Sequence, residues 1–591
     1  MSTKKNVEAI YPPSPQQKGM LLETLSAPFP GLHMERLACV LQGELDLAAF
    51  ERAWERVIAR HSILRTAFAW KGQEDPLQVV LERVRLPLTV EDLRDRTPEE
   101  REATLAAWLR DDLEKGFDMS KAPLMRLALF RTAEREHQLI WTHHHILMDG
   151  WCRPLVAGEF LSLYQALRRG EDPVLPPARP YRDYVAWLRS KEAERPRAES
   201  FWRETLNGVS GPTPLGERVG PPPSGTVGYH GLRSVRLPEA ETSRLRDLAR
   251  GRRLTLNTVV QGVWALLLAR YSGQNDVVFG TTVSGRPAEL EGVETMIGLF
   301  INTLPFRVDV PAGEPVWSWL EGVQARHLAV RAWEHCSAGE IHQWSGLPGT
   351  VQLYDSLLVF ENYPTQPTQP AQPAQPGGAG GGAERRPAEP GEIGVAFGGE
   401  GSTSAITRHP LTLIAEEAAE VTVTLIYDSL RLDDDDVSRI AGHLGTLLSR
   451  LAAEPEPALA ELLESIPAGE RPRLHALGFA TDERPYVAPR TPTEEALAAI
   501  WAEVLGLPRI GVHDSFLELG GHSLLATRIL GRVNETFGIK LPLLRLYETP
   551  TLGDLATTVA QILAEKADAE LLARLLQEVE QGPAAARETS S

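Results

Sequence analysis

A proline-dotted stretch, Ile466–Pro492, constrains the fold of this chain more than any other feature. It lacks apolar periodicity, so it predicts a linker, and each folded unit must close on one side of it or the other. Beyond it, Thr491, Pro492 and Glu494 spell a capping box with proline at the first helical position. Leu497, Ile500, Trp501, Val504 and Leu505 follow at the spacing of one helix face. A second helix is predicted after Gly520-Gly521-His522-Ser523, with Leu525, Ile529, Val533 and Phe537 as its stripe and Gly538 as its stop. An apolar stretch at Leu541–Tyr547 and a helix over Leu552–Leu563 complete a small all-α four-helix bundle.

The region before the linker mixes both periodicities. Gln138–Thr142, Val277–Val283 and Val421–Ile426 read as strands; Leu47–Arg60, Arg101–Lys115 and Val437–Leu451 read as helices. Asp433–Asp436 sit where carboxylates favour the positive end of the last helix. This is an α/β (α+β) region too long for one core, which predicts two lobes. A second composition break, Pro364–Glu392, consists of Thr-Gln-Pro repeats and a glycine run, and predicts a mobile loop. Its glycines lack the preceding strand and following lysine of a phosphate cradle, and Phe279–Ser284 lacks a nearby lysine too.

Charge narrows the function. With 79 acidic against 61 basic residues, the formal net charge of −18 argues against nucleic acid as a partner. Cys39, Cys152 and Cys336 lie far apart, which excludes a disulfide framework or zinc ribbon and suits a reducing, cytoplasmic setting. Neither a secretory leader nor a membrane-spanning apolar run is evident, so no membrane partner is expected.

The richest string is His143-His144-His145-Ile146-Leu147-Met148-Asp149-Gly150-Trp151, directly after the strand Gln138–Thr142. On a strand, His143 and His145 share one face and His144 points to the other. A metal site would therefore need a sharp bend and further ligands from elsewhere. His143 reads as a packed structural histidine.

The string resembles the HHxxxDG signature of condensation domains from nonribosomal peptide synthetases, a branch of the CoA-dependent acyltransferase superfamily. The resemblance extends, in order, over residues 10–455. It includes Tyr11–Met20, Arg60–Phe68, Tyr181–Tyr184, Ser284–Pro287 with Gly298–Pro305, Phe360–Pro364 and His409–Leu413. Asp514–Leu524 resembles the attachment motif of peptidyl carrier proteins, with Ser523 as the residue that holds 4′-phosphopantetheine. A serine at a helix N-terminus suits a phosphodiester, because free backbone N–H groups and the helix dipole favour an anion there. Taken alone, Ser523 would read as an N-cap. No GxSxG elbow makes it a hydrolase serine.

The resemblance implies a two-lobed condensation domain, residues 1–178 and 179–458 with the loop at 364–392. A linker at 459–489, a carrier domain at 490–566 and a tail at 567–591 follow. No adenylation domain fits between condensation and carrier domains, so a stand-alone adenylation enzyme is expected to load Ser523 after a phosphopantetheinyl transferase has modified it. The first motif starts near Met1, so the donor carrier is expected on a separate polypeptide. The implied reaction is amide formation between an upstream acyl or peptidyl thioester and an aminoacyl acceptor.

His145 is the implied proton acceptor or amine-positioning group. The resemblance also implies that His144 shapes the loop and that Asp149 pairs structurally with Arg286. Gly150 allows a tight turn or a close approach. The wording of the first motif and of Gly298–Pro305 resembles the subclass joining L-configured donors to L-configured acceptors. Two other readings stay open: a soluble amine, an alcohol or water as acceptor, and a non-catalytic recruiting module. Leu571, Leu572, Leu575, Leu576 and Val579 in the tail form an amphipathic stripe, which could dock a downstream synthetase module or extend the carrier's last helix.

Overall fold

The computed structural model describes residues 6–26, 31–70, 75–215, 231–348, 351–361, 394–397, 409–454, 456–466, 486–505, 507–516 and 523–539. It also describes 551–564 and positions 519, 541, 545–546, 549 and 566; at 26, 394–397, 523–525 and 527 only the backbone is described. Two compact units emerge, one drawn almost wholly from residues 1–478 and the other mainly from 479–591.

In the first half of the large unit the strands are β1 (Val7–Tyr11), β2 (Met34–Gln42), β3 (Thr66–Ala69), β4 (Leu77–Leu81), β5 (Leu88–Asp92), β6 (Met125–Ala133) and β7 (Glu136–His144). In its second half they are β8 (Gly231–Leu237), β9 (Asp276–Val283), β10 (Asn302–Asp309), β11 (Ser356–Glu361), β12 (Gly394–Phe397), β13 (Leu411–Glu417) and β14 (Val421–Tyr427). They assemble as one sheet of order β12-β2-β7-β6-β5, a second of order β10-β9-β11-β13-β14-β8, and a small one of order β1-β4-β3. One strand crosses the division at residue 178: β12 pairs antiparallel with β2 and extends the first sheet.

The first sheet is covered on both faces, and the two-residue pleat decides which side chain meets which cover. Leu37, Cys39 and Trp141 face the helices Leu47–Arg60 and Cys152–Arg168, where Trp54 stacks on Phe160 at 4.7 Å. On the other face Arg36 of β2 reaches Asp112 of the helix Pro98–Lys115 at 3.0 Å, and Thr142 Oγ1 donates to the same carboxylate. Trp108 of that helix packs edge-on against Phe130. In the second lobe the helix Leu256–Ser272 is buried nearly all round, as its apolar composition requires.

The head of the linker is corrected by the structure. Leu459–Glu464 is a helix whose Leu459 and Leu462 join the second lobe's core, and Arg270 donates to the carbonyl of Ile466. Apolar residues there gain more from burial than from remaining in a spacer. The loop at 364–392 and the tail at 567–591 lie outside the described residues.

The second unit holds the helix Pro492–Leu505, opened by reciprocal bonds between Thr491 and Glu494 at 3.1 and 3.2 Å. Ser523–Phe537 follows, and Gly538 then takes a φ of +60°, which only glycine adopts without strain. A last helix occupies 552–564. Trp501 and Phe516 meet in its core at 5.6 Å. Among the described residues no helix is long and apolar enough to cross a membrane.

Candidate functional site: a histidine loop between two lobes

Strand β7 ends at His144, and His145–Leu147 turn in a single 3-10 coil before the helix Cys152–Arg168. The bend sends the three histidines to different partners. His143 stands opposite Glu35 in the β2–β7 register, and its Nε2 lies 3.0 Å from Glu35 Oε2, too oblique for an aligned hydrogen bond. His144 turns to the other face: its Nδ1 accepts from the Ile146 N–H at 3.1 Å, and its Nε2 lies 3.0 Å from Thr24 Oγ1. A backbone N–H can only donate, so Nδ1 is the acceptor and the His144 proton sits on Nε2. Burial, with the neighbouring His33 and His145, pushes the His144 pKa well down and keeps the ring neutral.

His145 is held the other way round. Its Nδ1 lies 2.9 Å from the carbonyl of Met148, which can only accept, so Nδ1 carries the proton. Nε2 is left with its lone pair, and no described residue hydrogen-bonds it. The ring remains partly accessible at 15%, whereas His143 shows no exposure.

Asp149 closes the loop and spends all its bonding capacity on protein. Oδ2 accepts the N–H groups of Phe300 and Ile301 at 3.0 and 3.2 Å, and Oδ1 pairs with Arg286 Nη2 at 3.2 Å. Cys152 Sγ sits 3.2 Å from Oδ1, and burial raises its pKa so that the thiol stays protonated. Arg286 lies over the Phe300 ring at 4.0 Å and donates to the carbonyls of Val293 and Met296. Gly150 sits in the turn between, its carbonyl accepting from the Arg153 N–H.

Two glycines make this junction possible. At Gly285, with φ +60°, a Cβ would fall 1.8 Å from the Phe300 carbonyl oxygen, and at Gly298 it would enter the Tyr181 ring. Tyr181 donates its hydroxyl to Leu299 O and lies 3.2 Å from Ser14 Oγ, while Gln17 Nε2 donates to Ile146 O. Segments at residues 14–17, 143–150, 181 and 285–301 thus meet at one loop. The second motif stands apart as a brace: His61 and Arg60 both grip Glu159 of the helix Cys152–Arg168.

Sequence reading missed Glu35, Arg153 and Glu361. Glu35 lies fully buried below the loop, its Oε1 3.7 Å from His145 Nδ1, and Arg153 Nη2 is 3.7 Å from Glu361 of β11. Burial alone would raise the Glu35 carboxyl. The charges of His145 and Arg153 and the His143 contact outweigh it and hold the carboxyl well below its usual range. The available signal was the charged pair Glu35-Arg36 near the start of the largely apolar strand Met34–Gln42. Among the described residues no group of three His, Cys, Asp or Glu side chains is arranged to hold a metal ion.

In the second unit Ser523 is the first residue of a helix running to Phe537, a position that leaves its backbone N–H groups without intrahelical partners. Gly520, Gly521 and His522 lie outside the described residues.

Comparison with known proteins agrees with this layout. Residues 7–471 match the condensation domain family, and residues 495–559 match the phosphopantetheine attachment site. One of the linear gramicidin synthase proteins of Brevibacillus parabrevis is 37% identical over 464 residues, 78% of this chain and 6% of that protein. The chain therefore spans a small part of that relative's length. The first condensation domain of the calcium-dependent antibiotic synthetase, solved with a substrate analogue, aligns with a TM-score of 0.62 at 20% identity, covering 77% of this chain and 99% of that one. The X-domain from teicoplanin biosynthesis aligns at 0.61 and 24% identity, covering 78% and 98%. These two likenesses concern the fold.

Proposed function

Since the chain belongs to the condensation domain family and carries a phosphopantetheine attachment domain behind it, we propose that it joins a thioester-bound acyl or peptidyl donor to an amine acceptor. The observation that carries this reading is the His145 tautomer. With Nδ1–H committed to Met148 O, Nε2 is free to take or orient a proton from an attacking amine. The C–N bond forms as the C–S bond breaks, and the amine proton ends on the departing sulfur. His145 relays or steers that proton. His144, Asp149, Gly150 and Arg286 set the loop that presents it, and holding both reactants in line supplies much of the acceleration.

Ser523 is the residue proposed to hold 4′-phosphopantetheine, which when bound supplies a thiol for thioester attachment. The helix N-terminus at Ser523 fits a phosphodiester, since its unpartnered N–H groups and dipole favour an anion. Under this reading the acceptor is an amino acid on that arm, loaded in trans by a stand-alone adenylation enzyme. A phosphopantetheinyl transferase, a donor carrier protein and a downstream module are its partners. Three buried free thiols fit a cytoplasmic setting.

A soluble acceptor is the second reading, since the accessible face of His145 admits a free amine as well as a tethered one. Intact-mass measurement on the arm-bearing protein, chemically loaded with an aminoacyl group and given an acyl-loaded donor carrier, tests both. A mass gain on the arm that disappears in Ser523→Ala and His145→Ala supports transfer to the chain's own carrier. Product from free amine alone favours the soluble acceptor, and no transfer to either defeats the proposal.

A further inference from the structure

We propose that His33 is a positioning residue: its left-handed turn presents the carbonyl that holds the His145 N–H, and so sets where the open Nε2 of His145 points. The inference rests on the reading of His145 as the group that receives or orients a proton. Among the described residues two that carry a side chain have a left-handed φ, His33 and Arg253, each at +60°. Such a φ crowds the Cβ, so each asks for a cause. Arg253 has a local one. It follows the helix Glu239–Gly251, and its own N–H and that of Leu254 close on the carbonyls of Arg250 and Ala249, the pattern that ends helices.

His33 stands at the entry to β2, third in a turn closed by the Met34 N–H on Gly31 O at 3.0 Å, a place that turns of this kind give to glycine or asparagine. The turn carries the β2–β7 pairing one rung further than the strands themselves. Met34 lies opposite His144, and the next rung is the His145 N–H on His33 O at 2.8 Å. A residue that resists φ +60° must open the turn, and the carbonyl moves with it. The buried ring of His33 fixes the turn from its other side, with Nε2 2.8 Å from Glu23 of the helix Pro15–Ser26. That helix also meets the loop through Gln17 at Ile146 O and Thr24 at His144 Nε2. His145 is thus held in two ways. Its carbonyl accepts the Met148 N–H and its Nδ1 donates to Met148 O, both within the loop, whereas its N–H is tied to the turn before β2. The inner bonds set the ring relative to the loop, and the outer one sets the loop relative to the sheet. A displacement of about 1 Å at a reacting group costs about 10²-fold in rate, so the outer bond bears on turnover.

The test is NMR of the full chain with isotope-labelled histidine backbone amides, in which the His145 signal is the one lost in His145→Ala. It is paired with the kinetics of amide formation between an acyl-pantetheine donor and an aminoacyl-loaded arm. His33→Val introduces a β-branched residue that resists a positive φ. The His145 amide should then exchange with solvent about tenfold faster, since its hydrogen bond is lost. Its kcat should fall about tenfold or more with KM for the donor little changed. His33→Asn tolerates the left-handed turn and should recover most of both. Should His33→Val fail to fold, His33→Ala, which is less strained at the same φ, takes its place. Arg253→Val introduces the same strain at the other left-handed position and should leave both the His145 amide and kcat as they are.

Native exchange at the His145 amide in a folded His33→Val or His33→Ala protein overturns the proposal, even if the native chain condenses its substrates. A native kcat despite faster exchange overturns it as well, as does an Asn variant no better than the Val variant or an Arg253→Val protein with the same losses. Faster exchange at His145 in a chain whose native form condenses nothing supports the His33 anchor and defeats the condensation reading instead.

Discussion

The two ends of the loop from His143 to Asp149 are built from similar polar material and finished differently. At the aspartate end, Asp149 is met by two backbone N–H groups, a guanidinium and a thiol, all buried. At the histidine end, His145 has one nitrogen fixed by Met148 and the other left open, with a carboxylate held underneath at 3.7 Å. A buried group whose bonds are all spent on protein has none left for a substrate, so the aspartate end stabilises and the histidine end is where chemistry can occur. His144 shows that adjacency in sequence does not assign a side: one residue before His145, it is bonded at both nitrogens.

That contrast can be broken by substitution. His145→Ala should lower the rate of amide formation by about 10²–10⁴-fold. Its stability should stay within about 1 kcal/mol of the native chain, measured by chemical denaturation beside single-turnover transfer. Asp149→Ala should do the reverse, costing about 3–5 kcal/mol in the denaturation midpoint because it strands the Arg286 guanidinium. An Asp149→Ala protein of native stability and no turnover would erase the distinction between the two ends.

Smaller effects sharpen it. Gly285→Ala must place a side chain at φ +60° against the Phe300 carbonyl, and should destabilise by more than about 1 kcal/mol while leaving the His145 side untouched. Thr24→Val removes the hydroxyl partner of His144 Nε2 and should cost about 1 kcal/mol.

Acid should act through the buried neutral rings. The native state holds the His144 pKa below its ordinary value of 6.5 and holds that of His409 at about 4, both chiefly by burial. The unfolded chain therefore binds protons first as pH falls below 6.5, and stability present above that value is lost on the way down. Denaturation midpoints measured from neutral to mildly acidic pH should show this slope, and His144→Gln should reduce it without abolishing it.

Much of this was legible in the chain itself. The capping box at Thr491 and Glu494 and the helix closed by Gly538 both follow from local rules, because caps and stops act within one turn. The strand leading into His143 was equally readable, since its β-rich run needs no distant partner to be recognised. The head of the linker was misread: Leu459 and Leu462 are few and flanked by proline and glutamate, and only the second lobe's core gives them a place to pack.

Residue order alone was enough to establish the family motifs, their succession and the residue types at the loop. Where each of them sits and what it bonds was decided by long-range packing. Glu35 is more than a hundred positions from His145 and meets it because antiparallel pairing of β2 with β7 sets Glu35 opposite His143. Gly285 and Gly298 matter because the Phe300 carbonyl and the Tyr181 ring come from separate segments to fill the space a Cβ would need. Proton position at His144 and His145 is likewise tertiary. Identical imidazoles take opposite tautomers because one meets a backbone N–H and the other a carbonyl, and that choice depends on how the chain bends after the strand.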